Sequence, residues 1–311
     1  MKHSKKVKRA KQKFSWHLMW QQRYLIMMSL PFVLWLILFK YVPLWGWTMG
    51  FQEVKPATFS KSIWERKFVG FENFKAAFSD RLFSQTMINT ICVSILGLAI
   101  GTVLAIAFAI MLHELCFTKF KKLTQTVSYL PHFVSWVVIA SIAKMVLNDG
   151  GIIDTLSGRN LHLMSTNSAL FWVVVCLIDA WKECGWNAIV YLSAIAGIDE
   201  GLYEAAKVDG ANRLQRIWHI TLPGIKPTII VLLIMNIGGA LNLGMERQML
   251  LSNGVVQDHA MVLSWFAYIR GIGNNNYGVG TAIGIFQSVV SITLILIANK
   301  IAGWLGESKL M

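Results

Sequence analysis

Charge is scarce in this chain of 311 residues. Asp, Glu, Lys and Arg make up only 14% of it, against about 25% in an ordinary soluble domain. That scarcity excludes a conventional water-soluble globule. Among the four cysteines, Cys92, Cys116, Cys176 and Cys184, there is no C-x-x-C pair. Three fall inside apolar runs, so they read as small packing residues rather than disulfides or metal ligands. No G-x-x-x-x-G-K-[ST] stretch is present, so the chain does not cradle nucleotide phosphates in that way. Zinc-finger spacing and aromatic-basic nucleic-acid motifs are absent too. The net charge of +13 therefore needs an origin other than nucleic acid.

Apolar residues are what the chain has in quantity, at 55%. Several runs reach the roughly 20 residues a transmembrane helix needs. The expected fold is all-α, a polytopic membrane protein with six spans at about 24–44, 87–112, 123–147, 169–197, 226–247 and 279–304. A basic segment, 1–23, precedes the membrane domain of 24–305, and a short tail, 306–311, ends it. The segment holds Lys2, Lys5, Lys6, Lys8, Arg9, Lys11 and Lys13, and no small-x-small site follows the apolar run Tyr24 to Phe39. An uncleaved first span with a cytoplasmic N-terminus is expected. Six spans then put both termini on the cytoplasmic side, where 17 of the 29 Lys and Arg residues would fall, against 8 outside. Membrane orientation thus accounts for the positive charge.

Within the spans, small residues recur. Gly97, Gly101, Ala105 and Ala109 make one stripe and Gly280, Gly284 and Ser288 another, which reads as close helix packing. The segment 45–86 is mixed and aromatic, with Phe68 to Phe74 as a short interfacial element. Trp35, Trp45, Trp47 and Trp172 read as interface anchors.

The fourth span is the least suited to lipid. Asp179, Lys182, Glu183, Trp186 and Asn187 follow helical offsets and share one face. Lys182 falls roughly 20 Å along the helix. A charge near the bilayer centre costs at least about 2.5–3.5 kcal/mol unless paired or hydrated. Asp179 is well spaced to pair with Lys182, and Glu183, one residue away, is not. Two readings stay open: a buried ion pair that ties helices together, or the wall of a water-filled cavity with Trp186 as a stacking face. Asn236 on the fifth span comes to a similar depth, with Asn242 and Glu246 further along and Gly238-Gly239 loosening the helix between. No catalytic residue and no metal cluster is expected.

Between spans four and five lies a polar stretch, 198–225. Asp199 can cap a first helix carrying Leu202, Ala205 and Ala206 on one face. Gly210 permits a turn. Asn212, with Gln215 three residues on, can cap a second helix bearing Leu214, Ile217 and Trp218. Leu222-Pro223-Gly224 is expected to end it. By itself this is an amphipathic hairpin at the membrane surface.

The residue order goes further. Glu204-Ala205-Ala206, Asp209-Gly210-Ala211 and Ile220-Thr221-Leu222-Pro223 resemble the EAA coupling loop of bacterial ABC importer permeases, in the form of the carbohydrate branch. Gly70-Phe71-Glu72-Asn73-Phe74, Asn89-Thr90, Gly284-x-x-Gln287-Ser288 and Ala298-Asn299-Lys300 are similar to its oligosaccharide and polysaccharide permeases. The resemblance implies a bacterial cell-membrane subunit that forms half of an oligosaccharide pathway beside a second, related permease. It implies two partner ATPase subunits that hold ATP and Mg, with no cofactor in this chain, and an extracellular solute-binding protein. Glu204, Ala205, Ala206, Asp209, Gly210, Ile220, Leu222 and Pro223 would dock the ATPase. Asp179, Lys182, Glu183, Trp186, Asn187, Asn236, Asn242 and Glu246 would line the pathway. The chain itself would be no enzyme and would touch lipid but not nucleic acid. The rival is an ion-coupled secondary transporter or channel, which would need an ion relay and no EAA loop.

Overall fold

The computed structural model describes residues 20–164 and 168–304. The basic cluster of residues 2–13 and the tail 306–311 lie outside the described residues. Among those described, helices dominate and the only β-pairing is an isolated antiparallel bridge between Gln52 and Phe68. The chain divides into two units, Met1–Thr48 and Met49–Met311.

In the first unit, helix α1 (Arg23–Leu36) runs into a widened turn, Ile37–Tyr41. No residue of α1 is buried. A helix that is apolar all round and packed against nothing in its own unit is suited to lipid.

The second unit holds α2 (Glu72–Phe78), α3 (Arg81–Glu114), α4 (Thr118–Phe133), α5 (Trp136–Leu147) and α6 (Ser168–Ala196). Then come α7 (Glu200–Val208), α8 (Arg213–Arg216), α9 (Leu222–Gly238), α10 (Met245–Leu251), α11 (Leu263–Tyr268) and α12 (Tyr277–Trp304). Among the described residues, five helical stretches are long and apolar enough to cross a membrane: Arg23–Phe51, Arg81–Glu114, Trp136–Ser157, Arg213–Gly239 and Tyr277–Trp304. Helix α6, with 29 residues, has the length as well. Asp179, Lys182 and Glu183 interrupt its apolar run.

Three stretches depart from the sequence reading. The range 123–147, read as one span, is two helices joined at Val134-Ser135. Pro131 lies in the last turn of α4, where a missing N–H and a crowded ring end a helix readily. The range 226–247 is helical only to Gly238, and α10 begins afresh at Met245. The second loop helix does not stop at Pro223. It passes from α8 through a widened turn, Ile217–Thr221, straight into α9. There the Leu222 N–H bonds back to the Ile217 carbonyl. This slip of one residue falls next to Pro223, which has no N–H to contribute, so the chain turns on without a break.

Two apolar clusters stack along α6. One gathers Phe171, Val175 and Ile178 of α6 with Ile139 of α5, Leu251 of α10, Phe266 of α11 and Ile283 of α12. The other joins Ala188, Tyr191 and Ile195 of α6 to Ala105 and Ala109 of α3 and Ile225 of α9. Lipid tails are as apolar as these side chains, so close fit rather than water exclusion holds such helices together. Gly185 shows this: a Cβ there would overlap the Ser128 backbone of α4.

Polar side chains inside the apolar shell hold irregular backbone. Asn89, fully buried, donates to the carbonyls of Asp258 (2.7 Å) and Met261 (2.9 Å). Thr90 accepts from the Leu263 N–H at 2.9 Å. Asn73 donates to Gly50 (3.0 Å) and Gln52 (2.9 Å). Trp172, read as an interface anchor, instead packs on the first cluster and donates its indole N–H to the His259 carbonyl at 2.9 Å.

Candidate functional site: a cavity between α3, α6 and α9, and the loop beyond it

A cavity of about 300 Å³ opens between α3, α6, α9 and the turn that follows α9. It lies along α6 between the two apolar clusters. Asp179, Glu183, Asn187 and Asn236 line it, together with Ser94, Thr102 and Arg247. The small stripe of α3 divides here. Ala105 and Ala109 are buried in close packing, as its spacing suggests, with Ala105 at the edge of the cavity. Gly97 and Gly101 face the cavity, and a Cβ on Gly101 would meet nothing within 4 Å.

The polar face of α6 also divides. Asp179, Glu183 and Asn187 reach the cavity; Lys182 and Trp186 do not line it. The expected pairing of Asp179 with Lys182 is not what forms. Asp179 Oδ2 meets Arg247 Nη1 at 2.6 Å. Lys182 Nζ donates to Glu183 Oε1 at 3.0 Å and to the His132 carbonyl at 2.7 Å. The reason is the break after α4. It frees the His132 carbonyl inside the packed helices, and Lys182, only 4% exposed, turns toward it. A buried carbonyl without a partner would cost about 1–3 kcal/mol. Glu183 then closes the group through its other oxygen, 2.6 Å from His132 Nδ1. Trp186 lies flat on the His132 ring, with centroids 4.4 Å apart and planes 3° from parallel.

The second break, after Gly238, is held in the same manner. Ser94 Oγ donates to the Ala240 carbonyl. Gln287 Nε2 donates to the Leu241 carbonyl at 3.1 Å. Non-helical backbone inside a membrane domain survives where protein groups satisfy it. This break carries Asn242 and Glu246 away from the cavity lining, and both are exposed. It brings in Arg247, which the sequence reading passed over. The signal was an Arg next to Glu246 at the end of an apolar run, but only the unwound turn shows where it lands. His132 and Trp136 were missed for a similar reason. The indole of Trp136 has Lys182 Nζ at 5.6 Å and the Arg247 guanidinium at 5.8 Å from its ring centre.

Beyond the far end of α6 the loop is built as its residues foretell. Asp199 accepts from the Gly201 N–H at 2.9 Å and caps α7. At the other end of α7, Gly210 takes φ +78°. The Ala211 N–H reaches the Ala206 carbonyl (2.8 Å) and the Gly210 N–H reaches that of Lys207 (3.1 Å). These two bonds make a Schellman cap, whose left-handed position favours glycine. Asn212 and Gln215 exchange side-chain-to-backbone bonds of 2.9 and 2.8 Å across the start of α8.

Tyr203 Oη and Thr221 Oγ1, 2.9 Å apart, tie α7 to the widened turn. Ala206, Asp209, Gly210 and Ile220 share one groove between the loop helices. Glu204 lies in a second hollow with Lys207 and Arg216. Glu204, Ala205 and Pro223 are exposed, while Leu222 packs on the second apolar cluster. Leu202, Leu214 and Trp218 stay more than half exposed, a surface out of keeping with a face that meets only water.

Residues 97–308 match the family model described as "Binding-protein-dependent transport system inner membrane component". The polygalacturonan/rhamnogalacturonan transport system permease protein YteP of Bacillus subtilis (strain 168) is 39% identical over 292 residues, which is 92% of this chain and 90% of the relative. Protein LplB of the same organism is 37% identical over 287 residues, covering 91% of this chain and 89% of the relative. Among solved structures, a chain of a bacterial alginate ABC transporter in complex with an alginate pentasaccharide-bound periplasmic protein superposes with a TM-score of 0.84. That match has 33% identity and covers 95% of this chain and 99% of the other.

Proposed function

The chain belongs to the family of binding-protein-dependent transport system inner membrane components, and on that premise we propose that it forms half of the pathway for an oligosaccharide in an ATP-driven importer. The names of its relatives, a polygalacturonan/rhamnogalacturonan permease and an alginate transporter, support a polysaccharide-derived cargo. A second related permease supplies the other half. Two ATPase subunits dock from the cytoplasm, and an external binding protein delivers the sugar. Six spans with both termini in the cytoplasm place the loop 198–225 on the ATPase side.

The observation that carries this reading is continuity. The loop helices lead directly into the two cavity helices, α7 from α6 through Gly197–Asp199, and α8 into α9 without interruption. A displacement of the loop therefore moves Asn187 and Asn236 on opposite sides of the cavity. Asn, Glu and Asp together offer the donors and acceptors that sugar hydroxyls need. Force arrives at Glu204 and along the exposed apolar residues of the loop, and its effect appears roughly 20 Å or more away along helices rising 1.5 Å per residue.

The test is uptake of labelled oligosaccharide by cells that express the chain with its ATPase, second permease and binding protein. Uptake should require a hydrolysis-competent ATPase and survive collapse of the proton gradient while ATP is maintained. Uptake that stops with the gradient and ignores the ATPase would establish the ion-coupled transporter instead.

A further inference from the structure

Resting on the reading of the cavity as the solute pathway, we infer that Arg247 receives a carboxylate of the transported oligosaccharide, so that the chain favours acidic, uronate-type sugars over neutral ones. Arg247 lines the cavity and is only 9% exposed. Its one ion pair among the described residues uses a single nitrogen, Nη1, on Asp179 Oδ2. Its Nε is buried with no hydrogen-bond partner. A guanidinium carries five N–H donors in a fork that matches a carboxylate two-by-two. Among the described residues most of that capacity is unspent. The Trp136 ring at 5.8 Å supports the guanidinium without using a donor.

Asp179 is able to give way. Its side chain is 27% exposed, against 10% for that of Arg247, so it can turn to water in the cavity when another carboxylate takes the fork. A neutral sugar has no need of this arrangement, because Asn187 and Asn236 already line the same cavity and can serve hydroxyls. Keeping a cation buried is costly, and an anionic cargo gives that cost a use. The competing role is a clamp that holds α10 on α6, which would be indifferent to the charge of the sugar.

The experiment measures uptake of short oligogalacturonate and oligomannuronate, and of their uncharged methyl esters, in cells carrying the whole transport system. The binding protein stays the same throughout, so differences between variants report the permease. Arg247→Gln should raise the apparent KM for the acids about tenfold or more, the worth of a charge-assisted hydrogen bond, and leave that for the esters within about twofold. Arg247→Lys should fall between. The double variant Asp179→Asn/Arg247→Gln leaves no unpaired buried charge, so it should reach the membrane normally and show the same selective loss. Equal losses for acids and esters in both variants at normal abundance, or undiminished uptake of the acids by the double variant, would overturn the assignment. Uptake of esters alone by the unmodified chain would overturn it while sparing the pathway reading. Uptake of no oligosaccharide by the complete, ATPase-competent system would overturn both.

Discussion

Replacing Lys182 by Met tests how the break between α4 and α5 is held. The ammonium is almost fully buried and has two acceptors, the His132 carbonyl at 2.7 Å and Glu183 Oε1 at 3.0 Å. Removing it leaves a partly buried carbonyl unpaired and a carboxylate with only the His132 ring. Breaking one side of a buried pair costs about 3–5 kcal/mol in soluble proteins. In membranes interhelical hydrogen bonds average only about 0.6 kcal/mol, because the unfolded chain finds other partners in the bilayer. The carbonyl decides between these values: it cannot rotate to a new partner as a side chain can, and with Glu183 28% exposed the low end of the first range applies. At about 2.1 cal/mol/K per residue, a chain of 311 residues has an unfolding entropy of about 0.65 kcal/mol/K. A loss of about 3 kcal/mol then lowers the Tm by about 5 °C. Thermal unfolding of the detergent-purified assembly, followed by fluorescence-detected size exclusion, measures it. Glu183→Gln on the Lys182→Met background should restore part of the loss by removing the stranded charge. A Tm within about 1 °C of the parent, the membrane-average outcome, would refute the stitched-break account.

Glu204→Lys, which reverses an exposed charge on α7, should abolish uptake while leaving membrane abundance and Tm unchanged; normal uptake would remove Glu204 from the coupling surface. Gly210→Val forces a β-branched residue to φ +78°, a strain of about 1–2 kcal/mol or more, and should reduce coupling through a misplaced α7; uptake and ATPase stimulation measured together check this. Gly101→Leu has room for its Cβ and should fold normally yet block uptake by filling the cavity. A large fall in Tm with that substitution would instead return Gly101 to close packing.

Local features were the legible ones. The caps at Asp199 and Asn212 and the turn at Gly210 depend on neighbours a few residues away, so the sequence contains both partners. The helical face of Asp179, Glu183 and Asn187 is fixed by a period of 3.6 residues. Pairings across elements were not legible. Asp179 was matched to Lys182 by spacing on one helix, whereas Arg247 reaches it from 68 residues further on. Lys182 meets Glu183, at a spacing that is poor on an isolated helix, because the His132 carbonyl draws the ammonium between the helices and Glu183 joins that ammonium to the His132 ring nitrogen. The widened turn at Ile217–Thr221 was hidden because Pro223 signals an end in a regular helix, and only a register slip lets the helix pass it.

The membrane domain uses its buried polar groups in two ways, and their partners tell them apart. Lys182, Asn89, Ser94 and Gln287 all bond to backbone carbonyls that irregular turns have freed. A solute cannot take over that duty, since the carbonyl would be left bare in a low-dielectric interior. Asp179, Glu183 and Arg247 are held by other side chains, and those can rotate. On the proposed pathway, exchange with a passing hydroxyl or carboxylate would cost little, because one polar contact would replace another. The membrane domain thus contains groups that must stay, of which Ser94 reaches the cavity, and cavity-lining groups that can trade partners. The proposed transport would use both: fixed carbonyl bonds would keep the broken helices rigid enough to transmit a push from the loop, and exchangeable side chains would hold a sugar loosely enough to release it.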